Sequence, residues 1–376
     1  MRQHFLSTVL LLPVLLLLLM PAEGLSAAQN KIWRVAYVEA GPFTDYQQVL
    51  RGLALGLQRQ GLIENGDVPI PLQSEEAASM WDWLARNAGG TRIQFLKDGF
   101  YSANWDAAEG KSQRGALLER IIQKKDVDLL LVFGTSAGQD MAAADMDVPA
   151  IMLSVTNAVE AGIIPSVEDS GKDNIVAPIE PERFKQQVLL FHDIFRFKKL
   201  GIVYEDTPAG RGSIALGEIE SAARELGVEL ERCNDIFDID DTLLAAQRLQ
   251  NCHSRLAEQG VDAVYLTYNR GMQLDRLAEV LSPLSARRIP TFSQTGAAEV
   301  AHGALLSISQ ANLEEEGMFG AEIMAAIMRG ALPRSLSPVF ESPVSLALNI
   351  RMASLVGWNP PLEILAAVDE FYQDMK

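Results

Sequence analysis

Histidine and cysteine are scarce in this 376-residue chain, at four and two residues respectively. His4 lies in an apolar leader, so only His192, His253 and His302 remain for general-base or metal chemistry. No cluster of His and Cys has metal-ligand spacing, and no metal site is expected. The G-x-x-x-x-G-K-[ST] phosphate loop is missing. So is a dinucleotide fingerprint, since Gly41 stands without partners after the first expected strand. No cofactor is therefore expected. Positive charge is in deficit too: 32 Lys and Arg against 49 Asp and Glu give a net charge of −17. Nucleic-acid binding, which needs a basic stripe, is not expected. Beyond the leader no apolar run is long enough to span a bilayer. Asp235, Asp238, Asp240 and Asp241 lie close together but lack the Gly and Glu of an EF-hand loop. They read as a solvated loop and a helix N-cap.

What is present is globular: 48% hydrophobic and 22% charged residues, in a chain long enough for two α/β domains with real cores. Residues 1–28 read as a secretory signal peptide. Arg2 starts it, Leu6 to Met20 is apolar apart from Pro13, and Ser26-Ala27-Ala28 offers a cleavage site. The mature chain is then periplasmic, and with no Cys near the cleavage point it carries no lipid anchor. Cys233 ends an expected strand, and Cys252 sits on the helix that packs back on it. In an oxidising compartment the pair forms a disulfide; the alternative is two buried thiols.

Asp128 to Asn157 is the stretch around which the chain is organised. Leu129 to Phe133 is a continuous apolar run, as in a strand buried on both faces of a parallel sheet. Gly134 to Gly138 makes a small-residue turn into a short helix. Ala150 to Leu153 is the next strand, ending in Ser154-Val155-Thr156-Asn157. Two strands thus finish in hydroxyls and an amide, and ligands of open α/β sheets bind outside the carboxyl ends of strands.

The same alternation runs through the chain. Ile32 to Val38 is a strand followed by the turn Gly41 to Asp45 and a helix from Tyr46 to Gln60. Residues 62–90, with Trp81 and Trp83, read as an insertion covering a sheet edge, the tryptophans serving packing. Arg92 to Leu96 is a strand, and Phe100 to Trp105 a ligand-facing loop. After a crossover near Pro178 to Pro181, strands recur at Lys199–Tyr204, Val228–Arg232, Ala263–Leu266 and Pro290–Phe292, with helices between them. Two further strands, Ala304–Ile308 and Ser345–Asn349, flank a helix from Leu313 to Met328, and a helix from Leu362 to Tyr372 closes the chain. The expected architecture is α/β: two Rossmann-like lobes joined by three crossovers, the layout of a type I periplasmic binding protein. One lobe takes residues 29–176 and 309–341, the other 177–308 and 342–376.

Gly134-Thr135-Ser136-Ala137-Gly138 also matches the G-x-S-x-G nucleophile elbow of hydrolases. A triad would need an acid and a histidine, and His302 is the one reasonable base. The second α/β unit is far larger than a hydrolase lid requires, so the chain reads as a binder and not an enzyme.

From Trp33 to Asn359 the chain resembles the ABC-transporter substrate-binding proteins that include the bacterial tryptophan and tyrosine/phenylalanine binders. The resemblance rests on Asp126 to Thr135, Val148 to Asn157, Ala161 to Ile164, Lys199 to Tyr204, Val261 to Tyr265, Ile289 to Ser293, Gly303 to Leu306 and Leu346 to Ile350. It implies a two-lobed monomer that closes on a small solute and hands it to an inner-membrane permease and its ATPase. Ligand contacts carried over from the family fall on Thr135, Ser136, Thr156 and Asn157 in the first lobe. In the second they fall on the Tyr204 to Ser213 loop, Tyr268, Asn269, Ser293 and Gln294. Asn157, and the Asn269-Arg270 pair, stand where the family often has acids, so the aromatic amino-acid ligand is not carried over.

Physical chemistry adds to this set. Helix N-termini behind Thr135-Ser136 and Gly212-Ser213 offer N–H groups to an anion, and Arg211 a charge-assisted bond. Phe43, Tyr101, Trp105, Tyr204 and Tyr268 are candidates to sandwich a planar body, with core packing as the alternative for each. Thr44 and Ser154 complete the candidate set. Closure is expected as a hinge motion at crossings near 174–178, 308–311 and 341–345.

Overall fold

The computed structural model describes residues 31–71, 77–310, 313–341 and 343–373. The expected signal peptide, and parts of the expected crossings near 311 and 342, lie outside the described residues.

The first lobe is built from Trp33–Glu39 (β1), Thr44–Arg59 (α1), Ala78–Asn87 (α2), Ile93–Ser102 (β2), Ala107–Glu119 (α3), Leu129–Phe133 (β3), Thr135–Ala143 (α4), Ala150–Leu153 (β4) and Ile175–Val176 (β5). Its five strands run in the order β2-β1-β3-β4-β5, all parallel. Alternation of side chains divides β3 between two cores. Leu129, Leu131 and Phe133 pack with Leu50, Leu53 and Leu57 of α1, while Leu130 and Val132 pack with Leu117 of α3 and Met141 of α4. With helices on both faces, a continuous apolar run is the right strand sequence.

The second lobe follows with Arg183–Phe195 (α5), Lys199–Tyr204 (β6), Pro208–Ser213 (α6), Leu216–Leu226 (α7), Glu229–Asn234 (β7), Thr242–Glu258 (α8), Ala263–Leu266 (β8), Leu277–Val280 (α9), Ser282–Ser285 (α10), Thr291–Ser293 (β9), Ala297–Ala301 (α11) and Leu306–Gln310 (β10). The chain then returns to the first lobe, where Glu314–Met328 (α12) lies against α1. Val344–Asn349 (β11), Ile350–Val356 (α13), Leu362–Ala367 (α14) and Glu370–Tyr372 (β12) complete the second sheet. Its order is β12-β11-β10-β9-β8-β6-β7, parallel except for the β10–β11 pair. That pair is antiparallel because the chain leaves the sheet along β10, passes through α12, and comes back.

The contact of α12 with α1 is backbone on backbone. A Cβ placed on Gly52 would lie 2.0 Å from the Glu314 carbonyl oxygen, and one on Gly317 would lie 2.0 Å from that of Val49. Two of the crossings are tied to each other by hydrogen bonds from the Ile179 N–H to the Pro338 carbonyl and from the Phe340 N–H to the Ile179 carbonyl.

Cys233 on β7 and Cys252 on α8 are joined in a disulfide, with Cα atoms 5.6 Å apart. The insertion after α1 packs on edge strand β2, where buried Trp81 donates its indole N–H to the Leu96 carbonyl at 2.8 Å. Two local expectations are corrected. Strand β2 continues to Ser102 after a register shift in its pairing with β1, so residues 100–102 are strand and not loop. The last helix stops at Ala367, because residues 370–372 pair with β11 and prolong the sheet.

Candidate ligand-binding cleft

The carboxyl ends of the strands in the two sheets face each other across a cleft that encloses a cavity of about 120 Å³. From the first lobe come Ala40 and Phe43 after β1, Thr135 and Ser136 after β3, and Ser154 to Thr156 after β4. From the second come Ser213, Asp238, Tyr268, Gln294 and Thr295. The crossings add Ile179, Glu180, Leu313 and Phe340, so the floor of the cavity is made of the segments that join the lobes.

Local geometry explains several of these positions. Gly134 turns the chain from β3 directly into α4 at φ +85°, and a Cβ there would lie 1.9 Å from the Tyr46 hydroxyl. That close approach holds Tyr46 in the cavity wall beside Thr135. Ser154 adopts the left-handed region at φ +54° and donates its N–H to the Glu316 carboxylate at 2.5 Å. Glu316 is 8% exposed, and burial pushes its carboxyl up to about 7. Glu180 is paired with Arg183 at 3.0 Å. Gln294 braces the second lobe: its side-chain oxygen accepts the Tyr268 N–H at 2.9 Å and its amide donates to the Ile214 carbonyl at 2.8 Å.

One wall is aromatic. Phe43 meets Tyr46 and Tyr268 edge-on, with ring centres 5.5 and 4.9 Å away. Trp105, at φ +61°, donates its indole N–H to the Pro42 carbonyl at 3.1 Å. Arg270 reaches across from the second lobe, donating to the same carbonyl at 3.1 Å with its guanidinium 4.7 Å from the Trp105 ring centre. Asp238, on the loop after β7, faces this wall, and burial, with a contribution from Glu205, pushes its carboxyl up to about 6. Burial likewise holds the Tyr46 and Tyr268 phenols well above the usual range, so both are neutral donors at physiological pH.

Of the residues proposed from sequence, Phe43, Trp105, Thr135, Ser136, Ser154, Thr156, Ser213, Tyr268 and Gln294 line the cavity. The others lie elsewhere. Thr44 is exposed at the start of α1. Tyr101 is core, because β2 runs on through it; its hydroxyl accepts from Arg120 at 3.3 Å. Tyr204 is buried in the second lobe's core. Asn157 donates to Glu218 at 2.7 Å instead of facing the cavity. Asn269 shapes its own loop by accepting the Gly271 N–H, and Ser293 is wholly buried with its hydroxyl donating to Glu299 at 2.5 Å.

Arg211 is exposed and held by Asp206 at 2.7 Å. The anion site expected beside it, at the N-terminus of the helix behind Gly212-Ser213, is also overturned: that helix is α7, and its Gly217 and Glu218 N–H groups donate to the Glu160 carboxylate. Thr207 caps the N-terminus of α6 by accepting the Gly210 N–H, and Ser213 stands at the helix's carboxyl end. The end of α6 that reaches the cavity therefore presents carbonyls, not N–H groups.

Sequence reasoning missed Asp45, Tyr46, Asp238, Arg183, Glu316 and Thr295. Tyr46 was within reach, one turn beyond Phe43. Asp238 belongs to an acidic run that, lacking an EF-hand pattern, reads as a solvated loop and N-cap; Asp240 and Asp241 are exposed and Asp241 caps α8 by accepting the Leu244 N–H. Nothing local marks Glu316 or Arg183.

Ser136 occupies a strand–turn–helix junction, yet among the described residues no histidine lines its cavity. His253 is buried with Nδ1 2.9 Å from the Val280 carbonyl, its pKa lowered to about 4 by burial, and His302 has Nδ1 2.8 Å from the Ala298 carbonyl. Among the described residues no group of His, Cys, Asp and Glu is arranged to hold a metal ion.

Residues 96–370 match the family of ABC transporter substrate binding proteins. No curated protein matches the chain. Among solved structures, a conserved domain protein from Vibrio cholerae aligns with a TM-score of 0.68 at 20% identity, over 91% of this chain and 100% of that one. An ABC domain from Streptococcus pneumonia in complex with L-Trp aligns with a TM-score of 0.67 at 17% identity, over 91% and 100%. A solute binding protein from Agrobacterium vitis with bound allitol aligns with a TM-score of 0.55 at 15% identity, over 87% and 98%. Two α/β lobes, a cavity floored by their crossings and the family match agree: the chain belongs to the ABC transporter substrate-binding protein family and has the type I periplasmic binding protein fold.

Proposed function

We propose that this protein is the extracytoplasmic solute receptor of an ABC-type importer, closing its lobes on one small organic molecule and delivering it to an inner-membrane permease and its ATPase. The observation that carries the reading is the composition of the cavity wall. Both strand-end sets and the joining segments contribute, so opening the lobes would take the site apart. In this reading residues 1–28 direct export to the periplasm, and the mature chain acts as a monomer. The lobes comprise 29–176 with 309–341, and 177–308 with 342–376. Phe43, Trp105, Thr135, Ser136, Ser154, Thr156, Ser213, Tyr268 and Gln294 are the contact residues. The aromatic wall, together with the L-Trp bound by the streptococcal relative, supports a small amine-bearing solute with a planar body, amino-acid-like in those two features.

Native mass spectrometry of the gently purified protein tests this. The expected result is one stoichiometric solute whose removal and re-addition loosen and tighten the fold. An empty protein that ignores a broad panel of amino acids and small metabolites in thermal-shift assays would overturn it. The same cavity would serve a periplasmic sensor, and loss of solute uptake on deletion of the neighbouring permease separates the two roles.

A further inference from the structure

Charge in the cavity is one-sided. Among the described residues that line it, the acidic side chains are Asp45, Glu180, Asp238 and Glu316 and the basic one is Arg183. Arg183 is already paired with Glu180 at 3.0 Å. Two of the anion donors expected from the sequence have gone elsewhere, Arg211 to Asp206 outside the cavity and α6 turned with its carboxyl end inward, while the N-terminus of α4 at Thr135 and Ser136 stays at the cavity wall. Arg270 is close enough to act on Asp238 through its charge, but its guanidinium is engaged with the Pro42 carbonyl and the Trp105 face. Among the described residues the Asp238 carboxylate accepts no hydrogen bond, although it stands in a cavity wall beside Tyr46, Trp105 and Tyr268. A carboxylate facing an enclosed, ring-lined space is strongly favoured by a cation and disfavoured by an anion.

We propose that the solute is a compact organic cation, a protonated amine or quaternary ammonium, whose charge sits at Asp238 against the aromatic wall. The proposal rests on the solute-receptor reading above and names its ligand class. It also accounts for the departure from the family pattern. Acids are absent at Asn157 and Asn269, and the negative charge has moved to the loop after β7. A zwitterion would have to place its carboxylate in the same acidic enclosure.

The test compares phenethylamine, phenylalanine and hydrocinnamate, which share a ring and chain length and differ in charge. Tetramethylammonium serves as a cation without a side chain, and sodium chloride sets the ionic strength. Binding is read by calorimetry and thermal shift on the purified protein. Both cations should bind, phenethylamine in preference to phenylalanine and hydrocinnamate weakest. Asp238→Asn should weaken cation binding about tenfold or more, and Glu316→Gln, which keeps an acceptor for the Ser154 N–H, should weaken it less. Phenylalanine or hydrocinnamate binding as well as the amine, or Asp238→Asn leaving cation affinity unchanged, would overturn the charge assignment while leaving a solute receptor. No response to either cation would also overturn it, and the co-purified solute would then decide the receptor reading separately.

Discussion

Asn157 and Glu218 join the two lobes: the amide of the first donates to the carboxylate of the second at 2.7 Å. Around this bond each lobe supplies a carboxylate to helix N-termini. Glu160 accepts the N–H groups of Gly217 and Glu218 at 2.7 and 2.9 Å, so a first-lobe residue caps α7 of the second lobe. The other Glu218 oxygen accepts from Phe184 and Lys185 at 2.8 and 3.1 Å, in the first turn of α5. Backbones meet beside it, since a Cβ on Gly212 would lie 2.9 Å from Ala161. The Asn157–Glu218 and Glu160–α7 bonds form a latch that exists only while the lobes are together.

Glu160→Gln should therefore weaken solute affinity without unfolding either lobe. Charge–dipole interactions at helix ends are worth about 0.3–1 kcal/mol when exposed, as Glu160 is, so a loss of about two- to fivefold is expected. Small-angle scattering of the unliganded variant should report a larger radius than the parent. Unchanged affinity and an unchanged scattering curve would show that the contact contributes nothing to closure.

The backbone contact between α1 and α12 makes a separate prediction. Gly52→Ala or Gly317→Ala introduces a methyl group where a carbonyl oxygen stands 2.0 Å away, so the helices must separate. Overpacking of this kind costs about 1–3 kcal/mol. Chemical denaturation should show that loss for either variant, and a loss no greater than that of Gly115→Ala, where the added methyl meets nothing, would refute the close packing.

Removing the Cys233–Cys252 bridge as a double serine variant should cost about 3 kcal/mol, because the bridge closes a short loop in the unfolded chain. Equilibrium unfolding of the parent with and without reductant is the check. Equal stability in the two conditions would mean that the bridge is dispensable.

Stability should depend on pH through Glu299. This carboxyl is 6% exposed, and burial raises it to about 7 despite the hydroxyls of Ser293 and Thr295. The folded state then holds a proton that the unfolded chain has released, so stability is full below pH ~4.5 and falls as pH rises through about 7. Glu299→Gln removes the ionisation but keeps an acceptor for Ser293. Its unfolding free energy relative to the parent, from chemical denaturation, should climb between pH 5 and pH 8 by an amount on the order of 2 kcal/mol. A constant difference across that range would count against a raised carboxyl.

Much was legible in the chain itself, where local pattern and architecture coincide. The all-apolar run Leu129 to Phe133 requires helices on both sides of its sheet, and β3 has them. Residues after the strands, such as Ser136, Thr156 and Gln294, reach the cavity because parallel strands all deliver their following loops to one edge. Cys233 and Cys252 were pairable because a strand and the next helix pack on each other.

Only the tertiary structure decided the cavity's charge and its latch. Glu316 meets Ser154 across 162 residues, and Arg270 meets Pro42 across 228. Periodicity specifies which face of an element is buried, not which distant segment it will meet. Tyr101 and Asp238 show the two kinds of error. A strand that continued past its expected end took Tyr101 into the core, and a loop covered by the opposite lobe enclosed Asp238, although the acidic run around it reads as a solvated loop. The side chains in the cavity are brought together by the crossings and the meeting of the lobes, an arrangement no local stretch encodes.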